Sequence, residues 1–179
     1  MRFYHLDRAN TLTLEKDSNI GLIPIESLHL DKILENNLRE KFPEGLSQHG
    51  ISYLLGSNNK ENIITEWFLE YERKIGFINQ PSRFQSIFAF KELDDIQEFI
   101  KYVKYEGNNS IVYELESENY FKGDMRILGS QSSPLTQSLT SQLYWQGKSI
   151  KELRDDFNIK PLWEYLLVPP VKVINKFFL

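Results

Sequence analysis

The sequence predicts an α+β fold, and three observations lead there. Strand patterns at 2–6, 86–90, 110–115 and 163–178 are scattered among helical patterns without regular βαβα alternation, which favours α+β over a doubly wound sheet. No GxGxxG, GxxxxGK or GxSxG occurs, so Rossmann, P-loop and α/β-hydrolase folds lose their usual support. The 179 residues are 41% apolar and 26% charged, proportions that suit one globular domain over 1–179. A chain of this length buries roughly two thirds of its unfolded surface, so it needs neither disulfide nor metal to hold a core.

Arg2 to Leu6 alternates as a strand until Asp7 and Arg8 interrupt it. The apolar run 20–25 contains Pro24, which confines it to an edge strand or a loop. Asp31 can cap a helix carrying Ile33, Leu34, Leu38 and Phe42, with Pro43 as its stop. FPEGLSQHG (42–50) reads as an ordered loop. The clearest helix runs from Lys60 to Gly76, with Ile63, Ile64, Trp67, Phe68, Tyr71 and Ile75 on its core face and Glu66, Glu70 and Arg73 elsewhere. A second amphipathic helix spans 92–105, with Leu93, Ile96, Phe99, Ile100 and Val103 turned inward. The charged faces of both helices are expected to be solvated. Gly107-Asn108-Asn109 predicts a turn before the strand Ser110 to Leu115. Residues 129–143 fit a polar helix or a long loop equally, and Trp163 to Pro169 and Val171 to Phe178 are β patterns separated by the proline pair.

With 21 basic and 25 acidic side chains the net charge is −4, which argues against broad nucleic-acid binding. The absence of cysteine excludes disulfide frameworks, thiolate zinc sites and cysteine nucleophiles. His5, His29 and His49 form no HxH or HxxxH pair, so no metal site is predicted. MRFYHLDRAN has no signal-peptide pattern, and no run approaches the roughly 18 apolar residues of a membrane helix. The expectation is a soluble cytoplasmic protein without a membrane partner. Twelve Phe and nine Tyr suit aromatic-lined clefts.

Three segments carry candidate chemistry. In Tyr4-His5-Leu6-Asp7-Arg8, His5 shares a strand face with Phe3 and is either a half-buried strand-end residue or a ligand contact through one ring nitrogen. Pro81 to Ala89 sets Ser82, Gln85 and Ser86 beside Arg83, Phe84 and Phe88, which supplies stacking area and directed polar groups for a flat amide or purine; the alternative is a serine turn entering a core strand, with Arg83 solvated. Glu164 opens the otherwise apolar strand after Pro161 and either faces water at an edge or sits in a cleft, because a buried carboxylate needs a partner. Ser47 and His49 line a cleft or build a turn. Asp124-Met125 reads as a turn.

In this order the three segments resemble the motifs of the ADP-ribosyltransferase superfamily: YHLDR (4–8) with His5, SRFQSIFA (82–89) with Ser82 or Ser86 in the serine role, and EYLLVPP (164–170) with Glu164. With FPEGLSQHG between the first two, the pattern is most similar to an uncharacterised bacterial family of that kind. The resemblance implies a mixed split-sheet β core flanked by helices, and NAD as substrate. It implies that Glu164 contacts the nicotinamide ribose, where the bond to nicotinamide breaks through an oxocarbenium-like state. It implies further that His5 holds the adenosine ribose, that Ser82 and Ser86 position the strand and the glutamate, and that Phe84, Phe88 or Tyr53 stacks on nicotinamide. Arg83 or Arg8 is the candidate for the pyrophosphate. No metal is needed. Tyr144-Trp145-Gln146-Gly147 is then either a target-recognition loop or an aromatic core plug. Arginine-modifying members carry Glu-x-Glu, whereas Leu162 stands two before Glu164, which argues against arginine as acceptor. The expected activity is transfer of ADP-ribose to an acceptor the residues do not identify, in a toxin, phage-defence or metabolic setting. The alternatives are an NAD glycohydrolase and a catalytically silent binding module of the same fold.

Overall fold

A computed structural model describes residues 1–8, 12, 14–56, 60–107, 110–128, 133–153 and 158–178, the side chains of 60–62 apart. The expected turn at 108–109 and the start of the 129–143 segment lie outside the described residues. The strands are β1 (Arg2–Asp7), β2 (Asn19–Ile20), β3 (Ile87–Ala89), β4 (Ile111–Glu116), β5 (Tyr120–Asp124), β6 (Trp163–Leu167) and β7 (Val171–Phe178). The helices are α1 (Lys32–Lys41), α2 (Gln48–Leu54), α3 (Lys60–Gly76), α4 (Leu93–Val103) and α5 (Pro134–Trp145), with short 3₁₀ turns at Ile25–Leu28, Arg83–Gln85, Met125–Leu128 and Ile150–Glu152.

The strands form two antiparallel sheets, ordered β1-β4-β7-β2 and β3-β6-β5. They meet where Tyr4 and Phe90 exchange backbone hydrogen bonds of 2.8 Å in both directions. The chain is therefore α+β. Between the sheets lies a core of Phe3, Ile87, Ala89, Tyr113, Leu115, Tyr165, Leu167 and Val173. Alternation along β6 sends Tyr165 and Leu167 into that core and turns Leu166 to the other face, where it packs with Leu69, Phe121, Tyr144 and Trp145. Glu164 shares this second face by the same alternation. Tyr144 and Trp145 thus form an aromatic core plug at the end of α5, rather than a loop.

Local chemistry sets the helix ends. The Asp31 carboxylate accepts from the backbone of Ile33 and Leu34 at 3.0 Å, as expected, although Ile33 and Leu34 then face solvent and only Leu38 and Phe42 turn inward. The expected loop at 42–50 becomes a helix at Gln48: Ser47 Oγ accepts from Gly50 N at 3.1 Å and donates to the Phe84 carbonyl at 3.0 Å. Run 20–25 resolves into the two-residue β2, a bridge from Ile23 to Leu46 and the first 3₁₀ turn. Strand β5 has no counterpart in the sequence reading, which took Asp124-Met125 as a turn.

Helix α3 has the expected bounds and the opposite orientation. Ile64, Tyr71 and Ile75 are 52%, 60% and 66% exposed, whereas Glu66, Glu70, Glu72 and Arg73 are buried. The physical reason is that every inward charge finds a partner. Glu70 takes two bonds from Arg73, at 3.0 and 2.8 Å, and one from Ser82 Oγ at 2.9 Å. Glu72 accepts from Ser138 and Gln142 of α5, and Glu66 from Arg83. Trp145 Nε1 closes the packing on the Leu69 carbonyl at 2.8 Å. Helix α4 keeps the expected orientation at Ile96 and Phe99, whereas Leu93, in its first turn and expected inward, faces solvent.

Gly50 is where α2 touches the 3₁₀ turn at 83–85; a Cβ there would lie 2.1 Å from the Phe84 carbonyl oxygen. Gly50→Ala is therefore expected to lower stability by about 1–3 kcal/mol, the usual cost of overpacking. Gly76→Ala, with nothing within 4 Å, should leave it unchanged or slightly higher. Urea midpoints of the two variants check this.

Candidate active site: a buried arginine between two glutamates

Arg83 enters the core from the 3₁₀ turn before β3 and is 3% exposed. Its guanidinium uses a bidentate fork on Glu66, Nε to Oε2 and Nη2 to Oε1, both at 2.8 Å. Nη1 donates to Glu164 Oε1 and, at 2.7 Å, to the Tyr144 hydroxyl, which in turn donates to Glu164 Oε1 at 2.8 Å. The planar group lies over the rings of Phe88 (4.6 Å) and Tyr144 (5.2 Å). Gly123 stands beside Glu164 on β5 and leaves room for Tyr144: a Cβ would meet its ring at 2.2 Å.

The electrostatics follow from this geometry. Burial alone would raise the Glu66 carboxyl, but the Arg83 charge and hydrogen bonds, with His49 behind them, hold it well below the ordinary glutamate range. Burial alone would lower Arg83; Glu164 and Glu66 together hold it well above its usual value. Burial, only partly countered by Arg83, pushes the Tyr144 hydroxyl far up, so it stays a donor. One cation and two carboxylates leave the cluster one charge negative. Glu164 Oε1 is fixed by two donors, while Oε2 is buried with no hydrogen-bond partner.

A second layer lies against this cluster. His49, from the first turn of α2, is sandwiched between Tyr53 (ring centroids 4.4 Å) and Phe88 (4.0 Å), with Nε2 3.6 Å from Glu66 Oε1. Burial raises the Tyr53 hydroxyl, which also senses Glu66, Arg8, Arg83 and Glu164. His5 approaches from β1: its Nδ1 lies 2.6 Å from the Phe88 carbonyl, and since a carbonyl only accepts, Nδ1 carries the hydrogen. Burial outweighs that bond and lowers the His5 pKa. The neutral ring then presents Nε2 as an acceptor, so His5 can receive a ligand hydroxyl rather than donate to one. Arg8 follows on the surface, stacked over Phe99 at 5.3 Å.

The structure thus brings His5, Arg8, His49, Tyr53, Phe88 and Glu164 to one region. The other expected site residues have different tasks. Arg83 is committed to two carboxylates and a tyrosine and cannot reach a pyrophosphate. Phe84 is 1% exposed in a core with Phe42 and Leu46, so its ring is unavailable for stacking. Ser82 orients a glutamate, but it is Glu70; Ser86 donates to the Ser82 carbonyl at 2.7 Å and does not touch Glu164. Ser47 caps α2 and so places His49. The sequence puts Glu66 on a solvated helix face and Tyr144 in a recognition loop or a core plug, and assigns neither to this cluster. A signal for Glu66 existed, since an arginine inside an apolar segment requires a carboxylate and α3 offers Glu66 and Glu70 on one face. Among the described residues no group of three or more His, Asp or Glu could hold a metal ion, and no helix is long and apolar enough to cross a membrane.

Fold and site define an α+β protein whose candidate centre is a buried Arg-Glu-Tyr network beneath a histidine-aromatic stack. Over residues 3–176 the chain matches the family described as "Protein of unknown function (DUF2441)", and it belongs to that family. No curated protein matches it.

Removing Arg83 leaves two buried carboxylates without their counter-charge. Arg83→Leu is expected to cost on the order of 3–5 kcal/mol, read from chemical denaturation. Folding also depresses the pKa of Glu66 and of His5. Their stabilisation is complete above the unfolded-state values and is lost as pH falls, first below 6.5 for His5 and then below 4.5 for Glu66. Stability of the wild type should therefore decline in two acid stages. His5→Gln should flatten the upper one, measured as the thermal midpoint from pH 7.5 to 5.

Proposed function

We propose that the protein is an ADP-ribosyltransferase-like enzyme that binds NAD and breaks its nicotinamide–ribose bond. The observation that carries this reading is Glu164: one oxygen locked by Arg83 and Tyr144, the other buried and unpartnered, in a cluster of net negative charge. A carboxylate held in this way can accept the hydroxyl of the nicotinamide ribose. That interaction strengthens as positive charge develops on the sugar, which is what accelerates the chemical step. Arg83 and Tyr144 act through Glu164 as positioning residues. His5 accepts a hydroxyl of the adenosine ribose at Nε2, Arg8 faces the pyrophosphate, and Tyr53, at the end of the stack, offers its outer ring face to nicotinamide. The junction of β1 with β3, and of β3 with the glutamate strand β6, supports the split-sheet fold expected of that superfamily.

The test is nicotinamide release from NAD, with and without cell lysate. Glu164→Gln keeps the side-chain shape, and Arg83 keeps its fork on Glu66, so the variant should fold and bind NAD within a few-fold of wild type. It should release nicotinamide at least about a hundredfold more slowly. Normal turnover by the variant would remove Glu164 from the chemistry. Release without any acceptor identifies a glycohydrolase, and binding without release a silent module. No rise in thermal midpoint at millimolar NAD would overturn the reading altogether.

A further inference from the structure

Arg126 sits beside the strand that carries Glu164. The carboxylate of Asp124, fully buried, accepts three backbone N–H groups: Arg126 at 3.0 Å, Leu162 at 2.9 Å and Ile150 at 2.8 Å. Met125 N donates to the Leu162 carbonyl at 2.9 Å. These bonds tie the 3₁₀ turn bearing Arg126 to the residue two before Glu164. The guanidinium stacks on the Tyr102 ring of α4 at 5.3 Å. Burial raises the Tyr102 hydroxyl, which also senses Arg126, Asp124 and Glu164, and the ring remains 40% exposed.

Arg126 differs from the buried arginines in its pairing. Arg73 and Arg83 hold carboxylates within 3.0 Å. Among the described residues, the ion pair of Arg126 is with Glu98, a half-exposed residue, at 3.9 Å. Its Nε is buried and makes no hydrogen bond. An arginine fixed by its backbone, backed by an aromatic ring and weakly paired in a chain of net charge −4 is suited to an anion brought by a ligand. A guanidinium fork matches the oxygens of a phosphate group.

We propose that Arg126 and Tyr102 bind a phosphate group, and that this phosphate belongs to the acceptor. The proposal rests on the NAD-cleaving reading and names the acceptor class: a small phosphate ester, since the chain's negative charge opposes a long polyanion. The acceptor's nucleophilic atom bonds to the ribose C1 as the C1–N bond breaks. The bonding pair leaves with nicotinamide, and the acceptor's proton passes to solvent.

Calorimetric titration with thymidine 5′-monophosphate, thymidine and inorganic phosphate tests it, because none of the three mimics the nicotinamide half of NAD. Wild type should bind the monophosphate at least tenfold more tightly than thymidine. Arg126→Ala should lose at least tenfold. Tyr102→Phe, which keeps the stacked ring, should lose several-fold, and Arg39→Ala, a remote surface arginine, should match wild type. Equal binding of thymidine and its monophosphate overturns the proposal, as does full affinity in both site variants. Displacement of the monophosphate by NAD in simple competition would reassign Arg126 to NAD and also overturn it. The titration needs no NAD, so phosphate binding by a protein that ignores NAD would leave the anion site standing and remove the transferase reading. NAD cleavage without phosphate binding would do the reverse.

Discussion

One guanidinium holds the centre of this protein together. Arg83 links α3 through Glu66, β6 through Glu164 and α5 through Tyr144, three elements distant in sequence. Withdrawing such charges from water is costly, and only the full set of donors and acceptors offsets it. The arrangement therefore specifies geometry more than it adds stability. The orientation of α3, the position of Tyr144 over Gly123 and the fixed oxygen of Glu164 all depend on it.

Much of the backbone was legible in the sequence because it follows local rules. Alternation marked β1, an apolar β pattern marked β6, the Asp31 cap marked α1, and spacing marked α3 and α4. Strand β5 was hidden because Lys122 and Gly123 break the apolar alternation, and its pairing with β6 compensates for what the segment lacks. Helix α2 was hidden because the signal that starts it, Ser47, lies in a stretch rich in loop formers. Its second anchor is the Phe84 carbonyl, 37 residues away.

The reversed face of α3 shows where periodicity stops being informative. A hydrophobic stripe predicts which residues share a side of a helix; it does not say which side faces the core when the other side carries charges with waiting partners. Glu66 and Glu72 are satisfied by residues from other segments, and Glu70 by Arg73 of its own helix together with Ser82; no local pattern encodes the pairings between segments. The same limit explains the candidate site. His5 and Glu164 stand out as odd residues in their strands, whereas Tyr144 reads as part of a recognition loop or an aromatic core plug until the fold places its hydroxyl on Glu164.

The close approach of Tyr144 to Gly123 has a consequence for how such a sequence can drift over generations. With no space for a Cβ at 123, any larger residue there demands a smaller ring or none at 144. A smaller residue at 144 withdraws a donor from Glu164. The three positions are thus locked into joint inheritance, although 20 residues separate each from the next or nearly so. Among descendants that keep the buried centre, glycine, tyrosine and glutamate should be retained together or lost together.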